Sequence, residues 1–256
     1  MATQILEIND LTHRYPDGDG GIFDISFSVN KGEFIILAGQ NGSGKTTLIR
    51  HLNGLFKPEK GTIRLHGQDI FKDLTHTRKT VGMVFQDADT QIVCDTVFDE
   101  VAFGPENLNL DRTIVNTKVN TVLDQLNLTQ LKDRNPATLS GGEKRKLTIA
   151  GILAMDPEVI VFDEPFANLD YPGTQSLLAV ISALNKNGQT IIMATHDVET
   201  VMQSASRLLI ISRGRLVADG EMTEMIRHLE SNGIKPPCTC TMEPSFPPMS
   251  MNPPCQ

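Results

Sequence analysis

The chain has 256 residues, 39% of them hydrophobic, which suffices for one large α/β domain or two small ones. Its 31 acidic residues outnumber its 23 basic ones and give a formal net charge of −8, opposite in sign to the surface of a typical nucleic-acid-binding protein. We therefore expect no nucleic-acid partner. No apolar run reaches the ~18 residues of a membrane span, and the N-terminus lacks a secretory pattern, so we expect a cytoplasmic chain.

Short apolar runs alternate with helical stretches along most of the chain. Five unbroken runs are typical of strands covered on both faces, as in a parallel sheet. They span residues 34–38, 81–85, 159–162, 191–194 and 208–211. Two earlier segments, 5–11 and 22–29, alternate more regularly and predict antiparallel strands. Together these patterns predict an α/β fold with a parallel core sheet and an added N-terminal antiparallel β part.

Helical spacing of apolar residues appears between the predicted strands. The predicted helices cover residues 45–53, 112–126, 141–155 and 173–184. The helices from about 96 to 155 interrupt the alternation of strands and helices, and they predict an inserted helical lobe. We expect residues 1–233 to form one domain.

The last residues, 234–256, differ sharply in composition, because half of the chain's fourteen prolines lie there. We expect a flexible tail. Its cysteines, Cys238, Cys240 and Cys255, together with nearby methionines, are candidate ligands for a soft metal ion. The alternative is a flexible tail with incidental thiols, which the lack of a standard ligand spacing favours.

Residues 39–46 read GQNGSGKT, which fits the phosphate-loop pattern G-x-x-x-x-G-K-[ST] between an apolar strand and a helix. Backbone N–H groups of such a loop surround the phosphates of a nucleotide. Lys45 would supply charge to the β and γ oxygens, and Thr46 a hydroxyl to Mg²⁺. The nucleotide-binding candidates are Gly39, Gln40, Asn41, Gly42, Ser43, Gly44, Lys45, Thr46 and Thr47.

Two adjacent acids, Asp163 and Glu164, follow the apolar run at 159–162. Asp163 is a candidate for the Mg²⁺ shell, and Glu164 for the general base that activates water. Adjacent acids after a strand are common in α/β loops, so this assignment depends on the phosphate loop.

A Ser-Gly-Gly turn, Ser140 to Gly142, opens a helix within the segment LSGGE and predicts a second anion site. With this segment the chain resembles the ATP-binding subunits of ABC transporters, whose signature reads LSGGQ. In that family a sandwich dimer places the signature against the γ-phosphate held by the partner's phosphate loop. Ser140, Gly141 and Gly142 are therefore candidate nucleotide ligands. Glu143 replaces the family's Gln, and the resemblance leaves its role open.

The resemblance extends over residues 4–228 and implies further roles. Gln86 would reach the metal and the nucleophilic water, and His196 the γ-phosphate. Tyr15 would stack on adenine, and residues 167–170 would cross the dimer interface. Without the resemblance, a histidine such as His196 at a strand end is more often an ordinary structural residue, and a lone aromatic such as Tyr15 near an N-terminal strand is often a packing residue.

The segment 95–107, with 90–93 before it, resembles the ATPase subunits of energy-coupling factor importers of cobalt, nickel and vitamins. It predicts a helix closed by Gly-Pro at 104–105, with Asp99 and Glu100 on one face. The opposite face carries Val97, Val101 and Ala102. Such a face could form an acidic-rimmed apolar groove for a basic amphipathic helix of a membrane subunit. The alternative is that these apolar residues pack the core of the lobe.

The resemblance thus implies an ATPase subunit that binds ATP and Mg²⁺ and works as a homodimer or a heterodimer. It would drive a membrane importer from the cytoplasmic face, through transmembrane subunits that contact the region from Gln86 to Glu106. The alternative is a soluble ABC-type mechanical ATPase, against which the single phosphate loop and the lack of sustained heptads argue. The transported solute does not follow from the sequence, because this subunit need not contact it.

Overall fold

The computed structural model describes residues 3–16 and 20–237. Ten strands lie in this part of the chain: β1 (Gln4–Arg14), β2 (Gly21–Asn30), β3 (Phe34–Ala38), β4 (Lys60–Leu65), β5 (Gln68–Asp69), β6 (Val81–Val84), β7 (Val159–Asp163), β8 (Thr190–Thr195), β9 (Arg207–Ser212) and β10 (Arg215–Glu221). The helices are α1 (Lys45–Leu52), α2 (Leu74–Thr80), α3 (Val97–Asn107), α4 (Arg112–Gln125), α5 (Gly141–Leu153), α6 (Tyr171–Lys186), α7 (Val198–Val201) and α8 (Met222–Met225). Short 3₁₀ turns cover Ile70–Lys72, Thr129–Leu131, Pro136–Thr138, Ile226–His228 and Glu230–Asn232.

The strands form two sheets in the described residues. One has the order β10-β9-β3-β8-β7-β6, with β9 to β6 parallel and β10 antiparallel at the edge. The other, β2-β1-β4-β5, is antiparallel. The predicted fold class, a parallel core sheet with an N-terminal antiparallel part, is therefore confirmed.

The core sheet separates two hydrophobic clusters, and strand β3 shows why its sequence is apolar throughout. Phe34 and Ile36 face the cluster that the lobe helices cover, whereas Ile35 and Leu37 face the cluster beneath α1 and the antiparallel sheet. Because alternate side chains of a strand point to opposite faces, every residue of β3 is buried.

Several elements were not predicted, namely β4, β5, β10, α2, α7 and α8. The three strands and α2 are short and largely exposed, so their sequences carry little apolar periodicity. Helices α7 and α8 have four residues each, which is too few to show a helical period. Helix α6 begins at Tyr171, two residues before the predicted start. Asp170 caps it by accepting the N–H of Gly173, and a proline occupies the first turn, where its missing N–H costs nothing.

Helices α3, α4 and α5 pack on one another and on the core sheet, forming the helical lobe. The prediction that Gly-Pro closes α3 is wrong, because the helix continues through Pro105 to Asn107. Gly104 has no Cβ to clash with the proline ring, so the backbone stays helical there. A Cβ at Gly104 would also lie 2.8 Å from Met155. Among the described residues, no helix has the length and apolar composition to cross a bilayer.

The apolar face predicted for α3 lies inside the protein. Val97, Val101 and Ala102 are at most 1% exposed and belong to the lobe's hydrophobic core. Glu100 is buried too, and its Oε2 accepts the N–H groups of Val93 and Cys94. The packing alternative is therefore correct for these residues, and they do not form a groove.

The chain after β10 returns to the core. Leu229 and Ile234 are buried in the cluster that the lobe helices also contact. The predicted metal ligands of the tail, from Cys238 onward, lie outside the described residues.

Helix α5 begins with a capping box. The hydroxyl oxygen of Ser140 accepts the N–H of Glu143, while Oε2 of Glu143 accepts the backbone N–H and the hydroxyl of Ser140, at 2.8 and 2.7 Å. These hydrogen bonds lower the pKa of Glu143. A glutamate at position 143 therefore stabilises the turn that carries Ser140, which is the structural role the sequence left open.

We expect Glu143→Ala to lower the free energy of unfolding by about 1 kcal/mol, because it removes half of the capping box. Glu143→Gln keeps an acceptor oxygen and should lose less. Since the box lowers the pKa of Glu143, its contribution is present above the ordinary glutamate value and is lost as the pH falls through the lowered pKa. Urea unfolding followed by circular dichroism measures both effects. Glu106→Ala, an exposed glutamate on α3, is the control, and parental stability of Glu143→Ala would contradict the prediction.

Candidate functional site

The predicted site residues follow four neighbouring parallel strands. The phosphate loop, 39–46, follows β3, His196 follows β8, and Asp163 ends β7 with Glu164 after it. Gln86 lies two residues beyond β6. Because the carboxyl ends of parallel strands meet at one edge of a sheet, the fold gathers these residues from four distant parts of the sequence.

A cavity of about 630 Å³ opens at this edge. Its lining consists of Tyr15, Gly20, Gly21, Asn41, Gly42, Ser43, Gly44, Lys45, Thr46, Thr47, Gln86, Glu164 and His196. Every lining residue except Gly20 and Gly21 was a predicted site residue. A Cβ at Gly21 would lie 2.1 Å from the carbonyl oxygen of His13, so only glycine fits there. The glycine pair soon after Tyr15 is the signal that could have indicated this wall.

Lys45 lies inside the phosphate loop. Its Nζ donates to the carbonyl oxygens of Gly39 and Gln40, at 2.7 and 3.2 Å, and lies 3.6 Å from Oε1 of Glu164. Burial lowers the pKa of Lys45, while the carboxylates of Glu164 and Asp163 raise it. The loop thus holds a positive charge at its centre, as an anion-binding loop requires.

The backbone of the loop suits a phosphate group. Helix α1 begins after Gly44, at φ 107°, and no side chain caps its first N–H groups. The hydroxyl oxygen of Ser43 is buried and has no hydrogen-bond partner in the described structure. A Cβ at Gly39 would lie 2.3 Å from that oxygen, which explains the first glycine of the pattern. Uncapped N–H groups and an unpartnered hydroxyl beside an ammonium are the donors that a phosphate accepts.

Thr46 and Asp163 form a pair of oxygen ligands. The Thr46 hydroxyl donates to Oδ1 of Asp163 at 3.1 Å, and Asp163 is 2% exposed. Burial raises the pKa of Asp163, and the hydrogen bond from Thr46 lowers it. Thr46 and Gln86 also line a second cavity, of about 830 Å³, that reaches Asp163. Hydroxyl, carboxylate and amide oxygens are the ligands that Mg²⁺ prefers, so the three residues fit such an ion.

Glu164 lies between a lysine and a histidine. Its backbone is left-handed, at φ 45°, and its N–H donates to the carbonyl oxygen of Ala194. Nδ1 of His196 donates to Oε2 of Glu164 at 2.9 Å, while Lys45 faces Oε1. A non-glycine residue in this region is strained and is typical of functional sites. The strained turn directs the carboxylate toward the phosphate loop.

Tyr15, directly after β1, also lines the cavity. Its hydroxyl is hydrogen-bonded to that of Thr47 at 2.8 Å, and its ring contacts His13 edge-on. The residue remains 39% exposed. Tyr15 therefore has both a fixed position and a free surface for a planar ligand.

The Ser-Gly-Gly turn is not part of this cavity. None of the residues from Ser140 to Gly142 lines the cavity of about 630 Å³ at the phosphate loop (the phosphate-loop cavity). Only Gly141 lines the neighbouring cavity, the second one, of about 830 Å³. Residues 167–169 also line that neighbouring cavity. Within one chain, the fold thus brings together all predicted nucleotide contacts except those of the signature turn.

Sequence reasoning missed Arg145, on helix α5. It is 4% exposed and donates to the carbonyl oxygens of Phe85 and Gln86. The position of Arg145 in the sequence, directly after the LSGGEK segment, did not indicate a buried contact, because a basic residue there is also typical of an exposed helix face.

The chain is similar to known proteins over most of its length. A family model described as ABC transporter matches residues 22–167. The energy-coupling factor transporter ATP-binding protein EcfA of Carboxydothermus hydrogenoformans is 39% identical over 235 residues, 91% of this chain and 87% of the relative. The cobalt import ATP-binding protein CbiO of Rhodobacter capsulatus is 41% identical, over 92% of this chain and 86% of the relative.

Solved structures of ABC transporter ATP-binding proteins are also similar to this chain. CbiO1 from Clostridium perfringens, part of the CbiONQ transporter complex, superposes with a TM-score of 0.80 at 32% identity, covering 90% of this chain and 95% of its own. The chain therefore belongs to the ABC transporter family, whose ATP-binding subunits are ATPases coupled to transport.

Proposed function

We propose that this chain is the ATP-hydrolysing subunit of an energy-coupling factor importer for cobalt, nickel or a vitamin. The observation that carries the proposal is the cavity at the sheet edge, where the phosphate loop, Glu164 and His196 meet. The names of the similar proteins, EcfA and CbiO, support this type of importer over a soluble mechanical ATPase. The chain would act at the cytoplasmic face of the membrane.

Several residues of the cavity have distinct roles in ATP binding and hydrolysis. Lys45 and the N–H groups of the loop hold the β and γ phosphates, and Tyr15 stacks on the adenine. Glu164 accepts the proton of the water that attacks the γ-phosphorus, as the bond to the ADP oxygen breaks. His196 holds the carboxylate in place through Nδ1 and lines the same cavity, where it would contact the γ-phosphate.

Mg²⁺ would be held by Thr46, Asp163 and Gln86. When bound, such an ion neutralises charge on the β and γ oxygens. The Thr46 hydroxyl already lies beside Asp163. Gln86 is exposed where the two cavities meet.

Two chains would form each complete ATP site. Ser140 is exposed and outside the phosphate-loop cavity of its own chain, so its turn is free to face a second chain. Residues 167–170 would cross the same interface. The partner is either a second copy or a related ATPase subunit.

The membrane subunits would contact the region from Gln86 to Glu106. Its exposed apolar side chains are Val93 and Phe103, 67% and 49% exposed. Phe103 lines a third cavity, of about 580 Å³, between α2, α3 and α5. Exposed carboxylates nearby, such as Asp95 and Asp99, would attract a basic amphipathic helix.

Replacing Glu164 by Gln should lower ATP turnover by ~10²–10⁴, because the base is lost while the phosphate contacts remain. Steady-state ATPase rates and binding of a fluorescent ATP analogue measure both properties. Glu158→Gln is the matched control, since Glu158 precedes the opposite end of β7 and should leave turnover unchanged. Parental turnover of Glu164→Gln would show that Glu164 is not the base.

Mixing Lys45→Ala chains with Ser140→Arg chains should partly restore ATPase activity that neither has alone. In a mixed dimer one site carries both lesions and the other carries none, because Lys45 and Ser140 of different chains share one ATP. Circular dichroism must first confirm that Ser140→Arg folds, and each variant mixed with itself is the control. No recovery in demonstrated heterodimers would contradict composite sites that act independently.

Purification of the tagged chain from detergent-solubilised membranes of its native cell should capture transmembrane subunits that bind cobalt, nickel or a vitamin. Phe103→Asp should reduce this capture strongly, because it places a buried charge at the contact. Val217→Asp is the matched control, since Val217 has the same exposure and lies on β10. Capture that is insensitive to Phe103→Asp would exclude this surface as the docking site.

A further inference from the structure

Helix α5 holds the loop that carries Gln86. Nη1 of Arg145 donates to the carbonyl oxygen of Phe85 and Nη2 to that of Gln86, each at 2.7 Å. Short bonds from a planar guanidinium restrict both the distance and the orientation of the two peptide groups. Arg145 therefore fixes the backbone at the point where the Gln86 side chain begins.

The environment of Arg145 is unusual for a cation. The side chain is 4% exposed, and in the described residues its guanidinium forms no ion pair within 4 Å. Its Nε is buried without a hydrogen-bond partner. Burying such a group is costly, and both of its hydrogen bonds go to the Gln86 loop. The buried guanidinium therefore acts to restrain the backbone of the Gln86 loop.

Two other contacts restrain the same loop. The Gln91 amide accepts the N–H of Phe85 and donates to the carbonyl oxygen of Met83, which closes the loop on itself. Lys144 donates to the exposed carboxylate of Asp89. An exposed ion pair contributes little, so Arg145 is the main link between the loop and helix α5.

We propose that Arg145 is a positioning residue for ATP hydrolysis, which holds Gln86 at the two cavities that Gln86 and Thr46 both line. The proposal rests on the role of Gln86 given under the proposed function. Helix α5 also begins at the Ser-Gly-Gly turn, so Arg145 ties that turn and the Gln86 loop into one rigid unit. Lysine cannot replace it, because one ammonium does not reproduce the fork that bonds two successive carbonyls.

The test compares R145K, Q86A and the double variant R145K/Q86A in the full-length chain. R145K should lower kcat by about ten- to a hundredfold, the effect of a displaced active-site group. The KM for ATP should stay near the parental value, because Arg145 does not line the phosphate-loop cavity. The double variant should be no slower than Q86A, since Arg145 acts only through Gln86.

A second readout needs no turnover. Hydrogen exchange of the amides in residues 85–91 should be faster in nucleotide-free R145K than in the parent. R207K is the matched control. Arg207 is also partly buried, and it bonds a backbone carbonyl and Asp219 between β9 and β10, far from the loop. R207K should lower thermal stability and leave kcat and the exchange of the loop unchanged.

The outcomes separate the two proposals. Parental kcat in Q86A would overturn the role of Gln86 and, with it, that of Arg145. Impaired Q86A with parental R145K, or effects that multiply in the double variant, would overturn the role of Arg145 alone. An equal loss of kcat in R207K would show that the effect is general destabilisation. If R145K does not fold, R145Q, which removes the charge and keeps an amide donor, carries the same expectations.

Discussion

The parallel order of four core strands is the constraint on which the site depends. Register places Ala38 of β3 beside Thr195 of β8, and Ala194 of β8 beside Asp163 of β7, while β6 ends next to Phe162. Neighbouring strands lie about 4.8 Å apart, so the residues that follow them are within side-chain reach of one another. Antiparallel pairing at any of these positions would send one loop to the opposite edge of the sheet.

The charged groups of the site are already arranged around one another. Lys45 is held by loop carbonyls and by Glu164, whose other oxygen accepts from His196, and Asp163 accepts from Thr46. Because Lys45, Glu164 and Asp163 each have a polar partner, part of the cost of burying them is offset. The same contacts orient the groups in advance, which is the condition for electrostatic stabilisation of a phosphoryl-transfer transition state.

The helical lobe shows where pattern and packing differ. Val97, Val101 and Ala102 have helical spacing, which identifies a buried face and does not say what covers it. The structure covers that face with the lobe's own helices, and leaves Phe103 and Val93 exposed instead. An apolar stripe has the same sequence pattern whether it faces its own core or a partner, so only the tertiary structure could identify the exposed surface that we propose as the contact with membrane subunits.

The sequence by itself determined the fold class and the phosphate loop. These follow from local rules: apolar runs form covered strands, and glycines with a lysine form a phosphate loop. Tyr15, Gln86 and His196 were predicted from the resemblance to a known family, and Gly20 and Gly21 of the cavity lining were not predicted. Only the tertiary structure decided which side chains meet. It showed Glu164 between Lys45 and His196, and Arg145 bonded to the Gln86 loop. Such contacts depend on the distance and direction between elements far apart in the chain, which residue type and spacing along one segment do not specify.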